Sequence, residues 1–203
     1  MKEIKSILKF FKDGLSSGEE CAVAQVVRVE GSSYRREGAR MVVFESGNFE
    51  GGISGGCLEG DALKRSQLAI LKQESSIVTY DTSKEMEIGI GLGCNGIIDV
   101  LLTPVKSDSE NIRILEKCAS ERKTHIIVTI TDSDLKDESL KLGKCFYFDT
   151  ETNKIQGIES SDLKSYMQNK IDLVLTQNRS STFTYPSESG SLSFHVELIP
   201  AQY

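Results

Sequence analysis

A weak internal repeat runs through this chain. Gly38 to Ser54, GARMVVFESGNFEGGIS, aligns without a gap onto Gly143 to Glu159, GKCFYFDTETNKIQGIE. Both copies read as strand, turn and strand, running on into a helical pattern. Ala22 to Val26 has a counterpart in Ile126 to Ile130, and Ile98 to Pro104 resembles Phe194 to Pro200. A helical pattern over 110–121 precedes the second copy, as one over 3–15 precedes the first. The expected fold class is therefore α+β: two similar strand-strand-helix-strand units packed as one body, with mixed sheets and flanking helices. The expected domains are residues 1–104 and a degenerate repeat over 105–203. Chance likeness between two hairpins is the competing explanation.

Local signals fill in the first unit. Ile4, Ile7, Leu8, Phe11 and Leu15 share one helical face. Ala22 to Val29 is rich in valine and reads as a strand, as does Arg40 to Phe44. Glu45-Ser46-Gly47-Asn48 is a hairpin turn leading to a third strand over Phe49 to Ser54. Cys57 to about Lys72 is helical, Ser76 to Tyr80 a strand, and Ile97 to Leu102 a buried strand closed by Pro104. Residues 81–96 form a long connection, and long connections often carry function.

Composition narrows the partners. The chain has 203 residues, a net charge of −6 and no Lys/Arg-rich run, which argues against nucleic acid. The N-terminal segment is broken by charges, so it is not a signal peptide. The uncharged run Ile88 to Ile98 is too short to span a bilayer, so no membrane partner is expected. Five cysteines in no compact framework, with no export signal, place the chain in a reducing cytoplasm as thiols. With two histidines far from the glycine loops, a zinc site of the usual kind is not expected.

Three polar, glycine-rich loops crowd into the first half: Gly31 to Arg40, Ser54 to Glu59, and Gly91 to Gly96. Cys57 and Cys94 each lie beside glycines, which give little side-chain cover. Cys57 falls at a helix start, where the helix dipole favours thiolate, the form that ligates metals or carries sulfur. Arg35 and Arg36 are adjacent, so they point to opposite sides of an extended backbone. One suits a phosphate or carboxylate, the other an acid of the protein. Ser54-Gly55-Gly56 offers backbone N–H groups to an anion, and Glu59 suits orienting an arginine or a loop amide. Each loop also reads as a plain solvated turn. Cys21, Cys118, Cys145 and His195 lie in strand- or helix-like contexts and are expected in the core.

These loops resemble the XdhC/CoxI family of xanthine dehydrogenase maturation factors. The resemblance rests on Gly31-Ser32-Ser33-x-Arg35-Arg36-x-Gly38-Ala39-x-Met41, Gly52-x-Ser54-Gly55-Gly56-Cys57-Leu58-Glu59 and Gly93-Cys94-x-Gly96-x-x-Asp99. It covers roughly residues 20–104. Tyr34 stands where the family usually has proline, and Asn95 where it often has glycine. Many members continue into a Rossmann-type domain, and this sequence ends about where that domain would begin.

The resemblance implies a chaperone that binds molybdenum cofactor, supports its sulfuration and passes it to a molybdenum hydroxylase of the xanthine dehydrogenase type. A cysteine desulfurase and self-association into a homodimer are the other implied partners. The expected cofactor-binding residues are Arg35, Arg36, Arg40, Ser54, Gly55, Gly56, Glu59, Gly93 and Gly96. Cys57 and Cys94 are the expected reactive or metal-binding pair, with sulfurs within about 10 Å, a bound set by strand spacing. The rival expectation is a thiol-dependent sulfurtransferase or redox protein using the same two cysteines.

Overall fold

A computed structural model describes residues 2–81, 96–187 and 190–201. The chain divides into two compact units, Lys2–Ser107 and Asp108–Tyr203. The first contains α1 (Lys2–Ser16), β1 (Cys21–Gly31), β2 (Arg40–Phe44), β3 (Phe49–Gly51), α2 (Glu59–Lys72), β4 (Ser76–Asp81) and β5 (Gly96–Val105). Its sheet order is β3-β2-β1-β5-β4. The second contains α3 (Glu110–Ser120), β6 (His125–Ser133), β7 (Cys145–Asp149), β8 (Lys154–Ile155), α4 (Ser161–Gln177), β9 (Ser181–Ser187) and β10 (Gly190–Ile199). Its order is β8-β7-β6-β10-β9, the same topology strand for strand. The α+β class holds; the sheets, expected to be mixed, are antiparallel in every ladder among the described residues.

Period-two burial builds each core. In the first unit Ala24 and Val26, Met41 and Val43, and Ile98, Val100 and Leu102 point to one face, where Ala62 and Ala69 of α2 and its N-cap Leu58 pack. Each large aliphatic so buried contributes about 1.5–3 kcal/mol. On α1, Ile4, Ile7, Leu8 and Phe11 are buried, and that helix packs on β2 and β3. Gly14 is needed there: a Cβ would stand 2.1 Å from Phe44 Cζ. In the second unit Val128, Ile130, Phe146, Phe148, Phe194 and Val196 meet Leu163, Met167, Ile171 and Val174 of α4.

The repeat extends well past the stretch that reveals it. Leu58, Ala62 and Ala69 in one core answer Leu163, Met167 and Val174 in the other, at the same offset as Gly38 and Gly143. Both helices end on a left-handed residue, Gln73 at φ 52 and Asn178 at φ 51. Gly38 and Gly143 take φ of 87 and 84, and their N–H groups donate to Val26 and Ile130 carbonyls at 2.8 and 2.9 Å. Both β1 and β6 carry a register shift at the corresponding place, between Val26 and Arg28 and opposite Ser193/Phe194.

Three details differ from expectation. The strand match is two residues out: Val100 faces Val26 and Phe194 faces Ile130, so Ile98 corresponds to Leu192, not Phe194. Pro104 does not close β5; it pairs with Ala22. The ladder to β4 ends at Leu102, so proline's missing donor costs no bond on that side. β3 stops at Gly51 rather than Ser54, because the next residues turn back to meet Glu59.

Candidate functional site

Register alone gathers the marked loops of the first unit. β1 ends at Gly31 beside Gly96, the first residue of β5. β4 ends at Asp81 beside Ile97, and β3 ends at Gly51 beside Met41, at the start of β2. All five strands therefore turn the same end toward the described connections 32–39 and 52–58. Gly93, Cys94 and Asn95 lie outside the described residues, and with them the expected closeness of Cys57 and Cys94. Gly96 is described, and only glycine fits: a Cβ would stand 2.4 Å from the Glu30 carbonyl oxygen and 2.7 Å from that of Ser32. Asp99 braces this end, accepting from Arg28 Nε at 2.6 Å and Thr79 Oγ1 at 2.7 Å, one bond to each neighbouring strand.

The Cys57 loop is held from within. Glu59 Oε1 accepts from the Ile53 and Ser54 N–H groups at 3.0 and 2.7 Å, and Oε2 accepts the Ser54 hydroxyl. Ser54 Oγ in turn accepts from the N–H groups of Gly56 and Leu58, at 3.2 and 3.0 Å. Partial burial raises the Glu59 carboxyl, but the hydrogen bonds from Ser54 and Ile53 outweigh it and hold the group below its ordinary value. The expected anion-binding amides of this loop are thus largely taken by its own side chains. Glu59 orients loop amides rather than an arginine. α2 begins at Glu59 with Leu58 as its N-cap, so Cys57 sits just outside the helix.

Within the arginine loop the three cations separate. Arg35 forms an ion pair with Glu3 of α1, which fills the role of the arginine that takes a protein acid. Arg40 is buried, 4% exposed, and its Nη1 donates to the Gly38 carbonyl at 2.7 Å. Arg36 is exposed. The loop is pinned to β1 by Val26 N–H donating to Ala39 O at 2.9 Å.

The two loops touch through a residue that the loop motifs did not single out. The ring of Tyr34 covers Gly55, where a Cβ would lie 3.1 Å from Tyr34 Cγ. The double use of Ser54 was also missed, although a serine ahead of a helix start is a familiar capping signal. The cysteines sort by exposure: Cys57 is an exposed free thiol, Cys21 and Cys118 are buried, and Cys145 is half-buried against Thr129 Oγ1 at 3.3 Å. Burial, with Glu20 and Glu19 nearby, pushes the Cys21 thiol up to about 12. His195 is buried, its Nδ1 3.1 Å from Thr182 Oγ1. No helix among the described residues is long and apolar enough to cross a membrane.

What these residues can do chemically is bounded: a soft, accessible thiol on a braced loop, an exposed guanidinium on the neighbouring loop, and an exposed aromatic ring where the two loops touch. Residues 15–81 match the XdhC and CoxI family. Over 88 residues the chain is 41% identical to a probable xanthine dehydrogenase component of Bacillus subtilis (strain 168), covering 42% of this chain and 27% of that one. Over 113 residues it is 28% identical to the molybdenum cofactor insertion chaperone PaoD of Escherichia coli (strain K12), covering 56% of this chain and 35% of that one. A crystal structure described as a xanthine dehydrogenase from Bacillus halodurans superposes with a TM-score of 0.51 at 33% identity, covering 68% of this chain and 45% of that one. Each match takes in less than half of the relative's own length.

Proposed function

We propose that this chain, which matches the XdhC and CoxI family over residues 15–81, binds molybdenum cofactor as cargo. On this reading it supports sulfuration of the cofactor and hands it to a xanthine dehydrogenase-type molybdenum hydroxylase in the cytoplasm. The observation that carries the reading is the exposed Cys57 thiol on a loop braced by Ser54 and Glu59, in contact with the arginine loop. The likeness to a molybdenum cofactor insertion chaperone supports it. The residues suit the cargo: a thiolate suits a soft metal or sulfur centre, and Arg36 suits the phosphate of the pterin. A cysteine desulfurase would supply the sulfur, and Cys94 and Gly93 would join the site from the other glycine loop. Self-association belongs to the same proposal.

The test is purification after co-expression with the cofactor pathway, followed by molybdenum and pterin analysis. Both are expected to co-purify with the wild-type chain and to fall in Cys57→Ser. Preparations in which neither co-purifies would rule the reading out. The exposed thiol also favours a second reading, a sulfurtransferase. A persulfide on Cys57 and sulfur transfer without bound pterin would mark that outcome.

A further inference from the structure

Tyr34 is 74% exposed, the most open aromatic side chain among the large exposed hydrophobics. Yet its ring is backed. A Cβ placed on Gly55 would meet three ring atoms, Cγ, Cδ1 and Cδ2, at 3.1, 3.3 and 3.4 Å. Three near-equal distances mean that Gly55 faces the ring rather than its edge. One face of the ring therefore rests on the backbone of the cysteine loop, and the other is left to solvent. Gly55 itself is held in a loop stapled by Ser54 and Glu59. The ring thus has a rigid support, which an exposed loop tyrosine ordinarily lacks.

The surroundings limit what the open face can take. Cys57 is exposed two residues beyond Gly55. Arg36 is exposed two residues beyond Tyr34, while Arg35 is occupied by Glu3. Tyr34 and Gly55 make the contact between the loops, and each has a reactive or charged neighbour two residues on, Arg36 on one loop and Cys57 on the other. That combination suits a planar heteroaromatic ring carrying an anionic group and a thiophilic centre. Stacking on an aromatic face is tolerant of ring identity and needs no hydrogen-bond code. The cation then orients the anionic end.

Resting on the cofactor-binding reading above, we infer that the open face of Tyr34 is the stacking platform for the fused pterin ring, so that Tyr34 sets the plane of the ring beside Cys57. It binds and orients the ring and takes no part in bond making or breaking. Gly55 is its partner in this role: a side chain there would push the ring off its support.

The experiment titrates the full chain with molybdenum cofactor released anaerobically from a molybdenum hydroxylase. Wild type is compared with Tyr34→Phe, Tyr34→Ser and Tyr34→Trp. Tyr34→Phe keeps the ring and is expected to bind within about twofold of wild type. Tyr34→Ser is expected to bind about five- to hundredfold more weakly, the range of stacking on a protein aromatic. The chain has no tryptophan, so emission from the Tyr34→Trp variant reports this position alone and is expected to be quenched as cofactor binds. Thermal melts of all three variants should stay close to wild type, because the Tyr34 ring is largely exposed and lies outside the core. Binding by wild type and Tyr34→Ser with equal affinity overturns the platform and leaves the cofactor reading standing. Equal weakening in Tyr34→Phe and Tyr34→Ser also overturns it, by assigning the effect to the hydroxyl. A wild-type chain that binds no cofactor overturns both.

Discussion

Glu59 and Ser54 close a ring of hydrogen bonds around the exposed thiol of Cys57. The carboxylate takes the Ser54 N–H and hydroxyl, and the hydroxyl oxygen takes the N–H groups of Gly56 and Leu58. One acid thereby fixes the backbone on both sides of the cysteine without touching it.

Removing that acid should loosen the loop before it harms the sheet. Glu59→Ala leaves the Ile53 and Ser54 donors without their acceptor. An unsatisfied donor of this kind costs about 1–3 kcal/mol, so a loss of about 2 kcal/mol is expected in urea denaturation. Glu59→Gln retains one acceptor oxygen and should cost about half as much. A Glu59→Ala chain as stable as wild type would show that the staple holds nothing.

The same carboxylate sets a pH dependence. Its folded value lies below the ordinary one, so its contribution is present above the unfolded carboxylate value, about pH 4. It is lost as pH falls through the folded value. The stability difference between wild type and Glu59→Gln should therefore be full at neutral pH and shrink below about pH 4. A difference that stays constant down to full protonation contradicts the assignment.

Thiol chemistry should follow exposure. With iodoacetamide on the native protein at mildly alkaline pH, Cys57 is expected to label well before Cys21 and Cys118, which are 1% and 0% exposed. Cys21 should be slow for a second reason, since burial pushes its thiol up to about 12 and leaves almost no thiolate. Peptide mass spectrometry gives the order. Uniform rates under native conditions would contradict the burial pattern.

Two glycines should respond in opposite directions. Gly60, in the first turn of α2, has nothing within 4 Å of a built Cβ, so Gly60→Ala should stabilise by about 0.5–1 kcal/mol. Gly96→Ala drives a methyl group into two backbone carbonyls and should destabilise by about 1–3 kcal/mol. Thermal melts distinguish the two at once. A stabilised Gly96→Ala would refute the close approach of β5 to the end of β1.

The arginines should separate in cofactor titrations. Arg36 is the exposed one, so Arg36→Ala should weaken binding about ten- to hundredfold, the worth of a charged hydrogen bond. Arg35→Ala should act mainly by releasing α1 from the loop through the lost Glu3 pair. Equal, unchanged affinities would remove the loop from the binding surface.

Much of this fold was legible because its signals are local. The face Ile4, Ile7, Leu8 and Phe11 reads directly as a helix, and Arg40–Phe44 is an uninterrupted buried strand. The two-residue misreading of β10 has a physical cause. Side chains alternate with period two, so a slip of two residues keeps every apolar side chain on the correct face and leaves no trace in the pattern. Pro104 was misread because its effect depends on which neighbour is present at that height of the sheet, a tertiary fact. In the site, the glycine–cysteine loop announced itself by composition. The Tyr34–Gly55 contact did not, since it joins two loops that only the register of β1, β2 and β3 brings together.

The second unit shares the strand order of the first but joins β9 to β10 through residues 188–189, where the first unit has residues 82–95 between β4 and β5. Each molecule therefore carries its own internal standard. Amide exchange can be compared between Val26 and Ile130, or between Gly38 and Gly143, in one sample at one pH and temperature. Global stability and solvent conditions then cancel to first order. A protection difference that grows on adding ligand belongs to the ornamented end of one sheet, read against its plain twin.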